Sequence, residues 1–260
     1  MKLEIIHSDK QNASFVLSGA SPAYVNTLRR LVINKVPAMA IEEVTFEENG
    51  SALYDEILSH RLGLLPLHTD LKSYNLPSKC KCKGAGCARC QVKMTINKTG
   101  PCIVYAESIK SKDPEITPVY PKMPLVKLFE GQILKAEMTA QLGEGKDHIK
   151  FSPGIVFFQG YPQFKIKESK DAKECVEVCP KKILKLDGKK LKVTDEAKCD
   201  LCMACVDACP EAIQVSGSNE DFIVTLESWG QLSAKQVLTT AMELFDEELD
   251  ALEEEIKDIK

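Results

Sequence analysis

Six cysteines between positions 175 and 209 constrain this chain more than any other feature. The later run is complete: Cys199-x2-Cys202-x2-Cys205-x3-Cys209-Pro210. The earlier one keeps only Cys175-x3-Cys179-Pro180. Placing Cys175 on Cys205 and Cys179 on Cys209 gives an offset of 30 residues both times. The register extends beyond the cysteines, because Val176 then matches Val206, Glu177 matches Asp207 and Ile183 matches Ile213. The segment is therefore one unit written twice, with a pseudo-two-fold relation between its halves. Projected backwards, the first copy's missing thiols fall at Ser169 and Ala172.

Four thiolates at such short spacings can wrap a cubane, which points to an iron–sulfur site. Proline after the last cysteine of each run resembles the two-cluster bacterial ferredoxins. In that pattern the fourth cysteine of each run ligates the other run's cluster. One ligand set is then full: Cys199, Cys202, Cys205 and, crossing over, Cys179. We expect one 4Fe–4S cluster there, or 3Fe–4S once an iron is lost. Zinc also accepts four thiolates, but a zinc site needs no internal duplication. Cys175 and Cys209 are left two ligands short of a second cluster. They are either free thiols or a disulfide that forms on oxidation.

A second constellation, Cys80-x-Cys82-x4-Cys87-x2-Cys90, reads as a closed tetrahedral zinc site. Gly84 and Gly86 give the backbone the tight turns that let four sulfurs converge. Ten of the eleven cysteines fall in these two clusters. Met1–Lys10 lacks the apolar core of a signal peptide, which predicts a cytoplasmic chain and favours metal over disulfide use. No apolar run approaches the roughly 18–20 residues of a membrane span. The lone Cys102 reads as a small core residue, and His7, His60, His68 and His148 read as structural. Net charge is −4, so no global basic field is available to hold nucleic acid. Lysines outnumber acidic residues ten to five between 165 and 192, a solvated face or a contact for nucleic acid or an acidic partner. There is no Gly-rich phosphate loop, no dinucleotide fingerprint and no nucleophile elbow. Metal sites without catalytic machinery are the outcome.

The remaining chain reads as α+β. Short strands are predicted at 3–7 and 14–18 around a turn at 9–12. Ser21-Pro22 signals a helix start, and apolar residues continue at helical spacing to Pro37. A strand over 38–48 and a helix over 54–61 follow. Between 70 and 165, short apolar runs among prolines and glycines predict a β-rich segment. A strand at 222–226 leads to a long helix over 231–257, apolar along one stripe and acidic on the other face.

Two segments carry a wider resemblance. Asn26-Thr27-Leu28-Arg29-Arg30-Leu31-Val32-Ile33-Asn34-Lys35-Val36-Pro37-Ala38-Met39-Ala40-Ile41-Glu42 and Ser59-His60-Arg61-Leu62-Gly63-Leu64-Leu65-Pro66-Leu67 resemble the signatures of RNA polymerase α-type assembly subunits. With the ferredoxin-like insertion, the chain is similar throughout to the archaeal members of that family. The resemblance implies a dimerisation domain over 1–40 and 220–260. It also implies an inserted β-rich domain over 41–165 with the zinc loop at 80–90, and a ferredoxin-like domain over 166–219. Pairing with subunit L, contact with subunit N and organisation of the large catalytic subunits are implied too. DNA would then be met only through the assembled enzyme, and no membrane is involved. The implied interface takes Leu28, Arg29, Arg30 and Leu31 from the first helix. It takes Leu238, Met242, Phe245 and Leu249 from the last. Two readings compete. One is a ferredoxin-type electron-transfer subunit of an oxidoreductase, against which the single cluster and the absent flavin or nicotinamide motif speak. The other is a zinc-dependent nucleic-acid-binding module, disfavoured by the acidic balance.

Overall fold

The structure, a computed structural model, describes residues 1–168, 172–188 and 190–257. It divides into two compact units. One holds 1–8, 13–27 and 157–225, and the other holds 9–12, 28–156 and 226–260.

The first unit is built on a sheet of order β1-β2-β12-β9, with β1 Lys2–Ser8, β2 Asn12–Ser18, β12 Ile213–Ser228 and β9 Gly154–Ile166. β1 and β2 form an antiparallel hairpin. Along β2 the predicted alternation is realised, with Ala13, Phe15 and Leu17 buried. Along β1 every residue is exposed, because an edge strand has one neighbour and here no cover. The predicted strand at 222–226 is the end of a much longer one. β12 begins at Ile213, directly after the second cysteine run.

Helix α1 (Pro22–Asn34) starts where Ser21 predicts. The Ser21 Oγ accepts from the Tyr24 amide at 3.2 Å, and Pro22 takes the first helical position, where an amide proton has no partner. The ferredoxin-like segment adds α3 (Ala172–Val178), the antiparallel pair β10 (Leu184–Asp187) and β11 (Lys190–Val193), and α4 (Ala204–Ala208). Its small core joins Ile183, Leu184, Leu191, Ala212, Ile213 and Val215 to buried cysteines.

The second unit centres on a sheet of order β3-β8-β4-β6: β3 Ala38–Asn49, β8 Ile133–Gly143, β4 Gln91–Thr99 and β6 Lys110–Ser111. Its β3–β8 and β8–β4 ladders are antiparallel. Val92, Met94 and Ile96 alternate inwards on β4, opposite Ala140, Met138 and Ala136 of β8. Burying each large side chain contributes roughly 1.5–3 kcal/mol, which holds this register against a one-residue slip. β5 (Cys102–Tyr105) and β7 (Pro124–Leu128) form a separate antiparallel pair. Cys102 packs against the core but is only partly buried.

Helix α2 (Asp55–Gly63) buries Leu58 and Leu62. It carries Asp55 and Glu56 in its first turn and His60 and Arg61 in its last, signs that suit the helix dipole. Helix α5 (Ala234–Lys257) opens with a capping box. Ser233 Oγ accepts from the Gln236 amide at 3.3 Å, and Gln236 Oε1 accepts from the Ser233 amide at 3.0 Å.

The long apolar stripe of α5 has two fates. Ala234, Val237 and Ala241 are buried, whereas Leu249, Leu252 and Ile256 are 48%, 52% and 53% exposed. Of the residues expected at an interface, Leu238 and Phe245 are half-buried, and Met242 lies on the exposed side at 36%. On α1, Arg30 is exposed and Arg29 half-buried, while Leu28 and Leu31 are buried within the chain itself. Those two leucines support the helix from inside rather than present a free surface.

Candidate metal centres

The loop 80–90 lies between a short 3₁₀ turn at Pro77–Lys79 and β4. Lys83, Gly84 and Gly86 have positive φ of 52°, 84° and 87°, so the chain curls left-handedly between the two cysteine pairs. At its base the Asn75 amide donates to the Arg89 carbonyl at 2.8 Å. The buried Tyr74 hydroxyl donates to Asp113 Oδ2 at 2.5 Å.

The four sulfurs meet. Cys80 and Cys87 Sγ are 3.6 Å apart, Cys82 and Cys90 3.5 Å, and Cys87 and Cys90 3.7 Å. A tetrahedral zinc with Zn–S near 2.3 Å has an S···S edge of about 3.8 Å, so the set is sized for one ion. Among the described residues, this is the group whose ligand atoms all lie within 4.8 Å of one another.

Crowding sets the acidity of these thiols. The hydrogen bond from Cys80 draws the Cys82 thiol down to about 6, while burial pushes Cys90 up to about 12. A cation at the centre would replace those shared protons.

The second set is arranged differently. Cys179, Cys199, Cys202 and Cys205 line one cavity, walled by Phe164, Pro180, Ile183, Leu184 and Val215. Cys205 sits on α4, and Cys199 follows a 3₁₀ turn at Glu196–Lys198. Leu201 and Met203 flank Cys202 with φ of +56° and +64°. Non-glycine residues in this region cost energy and cluster where geometry serves a site. Here they turn the loop on either side of Cys202, so that the three cysteines of this run face one cavity. Cys199 is buried and Cys202 exposed. Burial raises the Cys199 and Cys205 thiols, and the negative charge of the neighbouring cysteines raises them further. Positive iron would relieve that repulsion, so the donor set and the cavity both fit a cluster. When bound, it would supply bridging Fe–S bonds across the loop and one-electron redox chemistry.

Cys175 and Cys209 do not line this cavity. They are joined as a disulfide, with Cα atoms 6.1 Å apart and both residues buried. The Cys209 sulfur also lies 3.3 Å from the Cys205 carbonyl. Ser169, one of the two projected ligand positions, lies outside the described residues.

The scattered histidines have structural surroundings where contacts define them. His148 Nδ1 accepts from the Lys150 amide at 3.1 Å. Burial lowers His68, as does the nearby Lys10 charge. What the sequence did not reveal is a side chain far from the cysteine run that touches it: Gln159 of β9 donates to the Cys199 carbonyl at 2.7 Å. Nothing in the sequence signals it, because the partner lies 40 residues away.

No helix among the described residues is long and apolar enough to cross a membrane. Residues 40–156 match the RNA polymerase Rpb3/RpoA insert domain family, and residues 192–213 match the 4Fe-4S binding domain family. Over its whole length the chain is 35% identical to the DNA-directed RNA polymerase subunit Rpo3 of Archaeoglobus fulgidus, covering 99% of that protein. It is 35% identical to the Rpo3 of Methanosphaera stadtmanae, with 96% of each chain covered. It is 37% identical to that of Methanosarcina acetivorans, over 93% of this chain and 92% of the relative. The α+β fold, the insert domain, the ferredoxin-type motif and this end-to-end similarity agree: the chain belongs to the Rpo3 family of DNA-directed RNA polymerase subunits.

Proposed function

We propose that this chain is the non-catalytic assembly subunit of a cytoplasmic archaeal RNA polymerase, a nucleotidyltransferase whose chemistry resides in the large subunits. It heterodimerises with subunit L, contacts subunit N and organises the large catalytic subunits. Segments 1–40 and 220–260 serve dimerisation, 41–165 the insert and 166–219 the ferredoxin-like domain. The observation that carries the pairing is the second half of α5. Three large apolar residues at helical spacing stand about half exposed there, and a partner helix of subunit L would cover them. Arg29, Arg30, Leu238, Met242 and Phe245 border that surface, and Leu28 and Leu31 brace it from within.

Cys80, Cys82, Cys87 and Cys90 hold a structural zinc. Cys179, Cys199, Cys202 and Cys205 hold one 4Fe–4S cluster, which becomes 3Fe–4S on loss of an iron. Cys175 and Cys209 close the vacated half with a disulfide under oxidising conditions and are residual thiols otherwise. The cluster stabilises the inserted domain, because metal binding adds to folding free energy, and its loss is a route by which redox state reaches assembly.

Co-expression with subunit L tests the assignment. Leu249→Asp with Leu252→Asp is expected to abolish the heterodimer on gel filtration while the chain alone keeps its circular dichroism spectrum. An intact heterodimer would refute the interface. Metal analysis of anaerobically purified chain should return about four irons and one zinc per chain, for the cluster and the zinc site.

A further inference from the structure

We infer that Gln159 is a positioning residue for the iron–sulfur loop. Its side-chain amide fastens Cys199 to strand β9, and Gly217 of β12 is the seat on which the loop rests. The inference rests on the cluster assignment made above and deepens it.

Three contacts within the first unit carry it. The Cys199 carbonyl accepts from Gln159 Nε2 at 2.7 Å, across 40 residues of sequence. On its other side the Cys199 amide donates to the Glu196 carbonyl at 3.0 Å. The peptide that presents the first ligand is thus held from both ends. Two residues on, Leu201 lies over Gly217 so closely that a Cβ there would stand 3.2 Å from Leu201 Cδ1. The neighbouring Gly160 lets the two strands close up, since a Cβ on it would fall 2.5 Å from the Ser218 carbonyl oxygen. A side chain at Gly160 would part the strands, and one at Gly217 would press on the Leu201 tip.

The physical consequence follows from how the loop is built. Leu201 and Met203 keep left-handed backbone on either side of Cys202, and that conformation has to be held by outside contacts. Gln159 and Gly217 are those contacts on the β9–β12 side. Cys202 is the exposed ligand, so it is where oxidant or chelator first reaches the cluster. A loop fixed at Cys199 and Leu201 limits how far Cys202 can swing outward. Gln159 therefore governs how long the cluster survives, without touching iron.

The test uses the full chain purified anaerobically, as wild type, Gln159→Leu, Gln159→Glu and Gly217→Ala. Iron and sulfide content come first. The decay of the cluster's visible absorbance in air-saturated buffer is then followed, with the EPR spectrum of the reduced protein. Thermal melting of the metal-free forms is the structural control. Gln159→Leu keeps the volume and removes the donor. It is expected to load fully and to lose its cluster about twofold to tenfold faster, the range that one neutral hydrogen bond supplies. Gln159→Glu keeps the shape but turns the donor into a charged acceptor. It should accelerate decay at least as much and shift the EPR signal. Gly217→Ala should move in the same direction by displacing Leu201. Melting of the metal-free forms should fall for the Gln159 variants by less than the acceleration of cluster decay corresponds to.

Wild-type decay and spectrum in Gln159→Leu overturn the inference while leaving the cluster assignment intact. So does faster decay matched by an equal loss of stability in the metal-free protein, which would reduce Gln159 to ordinary packing. A wild-type chain free of iron and sulfide overturns the cluster assignment, and this inference with it.

Discussion

The loop at 80–90 and the run at 199–205 each gather four cysteines, yet they are built to opposite plans. In the first, two pairs of ligands sit on one short loop, and glycines fold their sulfurs to 3.5–3.7 Å of each other. In the second, Cys199 and Cys202 come from one loop, Cys205 from α4 and the fourth is Cys179, and together they line a cavity with apolar walls. Four thiolates alone do not specify a metal. Sulfurs in mutual contact suit a single ion, whereas the second set, which is not gathered within 4.8 Å, leaves the room a multi-iron core needs. The local loop can close by itself. The larger site depends on a crossover ligand, on a neighbouring helix and on strands far away in sequence.

The largest expected effect separates the two sites outright. Replacing Cys199, Cys202 and Cys205 together by serine should remove all iron and sulfide and open 166–219 to protease. The zinc content and the protease resistance of 41–165 should stay unchanged. Loss of both metals together, seen by elemental analysis, would break the comparison. Cys90→Ser is the converse. It removes a fully buried ligand, and structural zinc contributes apparent binding energies of about 10–16 kcal/mol in finger peptides, so the loop should release its metal and become cleavable near Lys83.

A smaller effect concerns the half-site that lost its ligands. The disulfide Cys175–Cys209 spans 34 residues, for which loop closure predicts about 3–4 kcal/mol of stabilisation. Cys175→Ala with Cys209→Ala, compared with oxidised wild type by denaturant titration, should lower the first unit's stability by that order. An unchanged midpoint would show that the pair does not close this half.

The next test is pH. Burial holds the Cys90 proton up to about 12, so the metal-free loop still carries it at neutral pH, and metal binding has to expel it. Each displaced proton lowers the apparent affinity about tenfold per unit fall in pH. Calorimetry in two buffers of different ionisation heat should therefore report proton release, and metal uptake with no release would contradict the arrangement. Finally, Gly86→Ala forces a Cβ onto a residue with φ of +87°, 2.5 Å from Gln91 Oε1. The expected cost is about 1–3 kcal/mol of loop stability. A competition assay should show zinc held correspondingly more weakly.

Much of this was legible in order along the chain. Cysteine spacing and the 30-residue repeat located both ligand groups, because metal loops are local and their spacing is their geometry. Ser21-Pro22 marked a helix start, and short apolar runs marked the β-rich segment that holds β4, because caps and local apolar patterns are short-range effects. Other features escaped for a common reason. The strand read at 222–226 continues back to Ile213, since pairing within the sheet extends it through polar residues that carry no apolar signal. The strand predicted at 3–7 forms as β1, and its place at the edge of the sheet leaves it bare, which a strand pattern does not reveal. Leu28 and Leu31 read as interface and lie inside, because a helix face does not say which apolar surface it will meet. Gln159 gave no sign at all, since its partner is 40 residues away.

The order of residues alone supplies the inventory: ten clustered thiols, a repeat with two cysteines missing, and two signature segments of the polymerase assembly family. Those follow from chemistry that neighbouring residues carry alone. It took the three-dimensional packing to bring the sulfurs of the 80–90 loop to 3.5–3.7 Å, to place Cys179, Cys199, Cys202 and Cys205 around one cavity, to join Cys175 with Cys209, and to set Cys199 and Leu201 against Gln159 and Gly217. Those depend on strands and helices brought together from distant positions, and it is packing that sets their spacing.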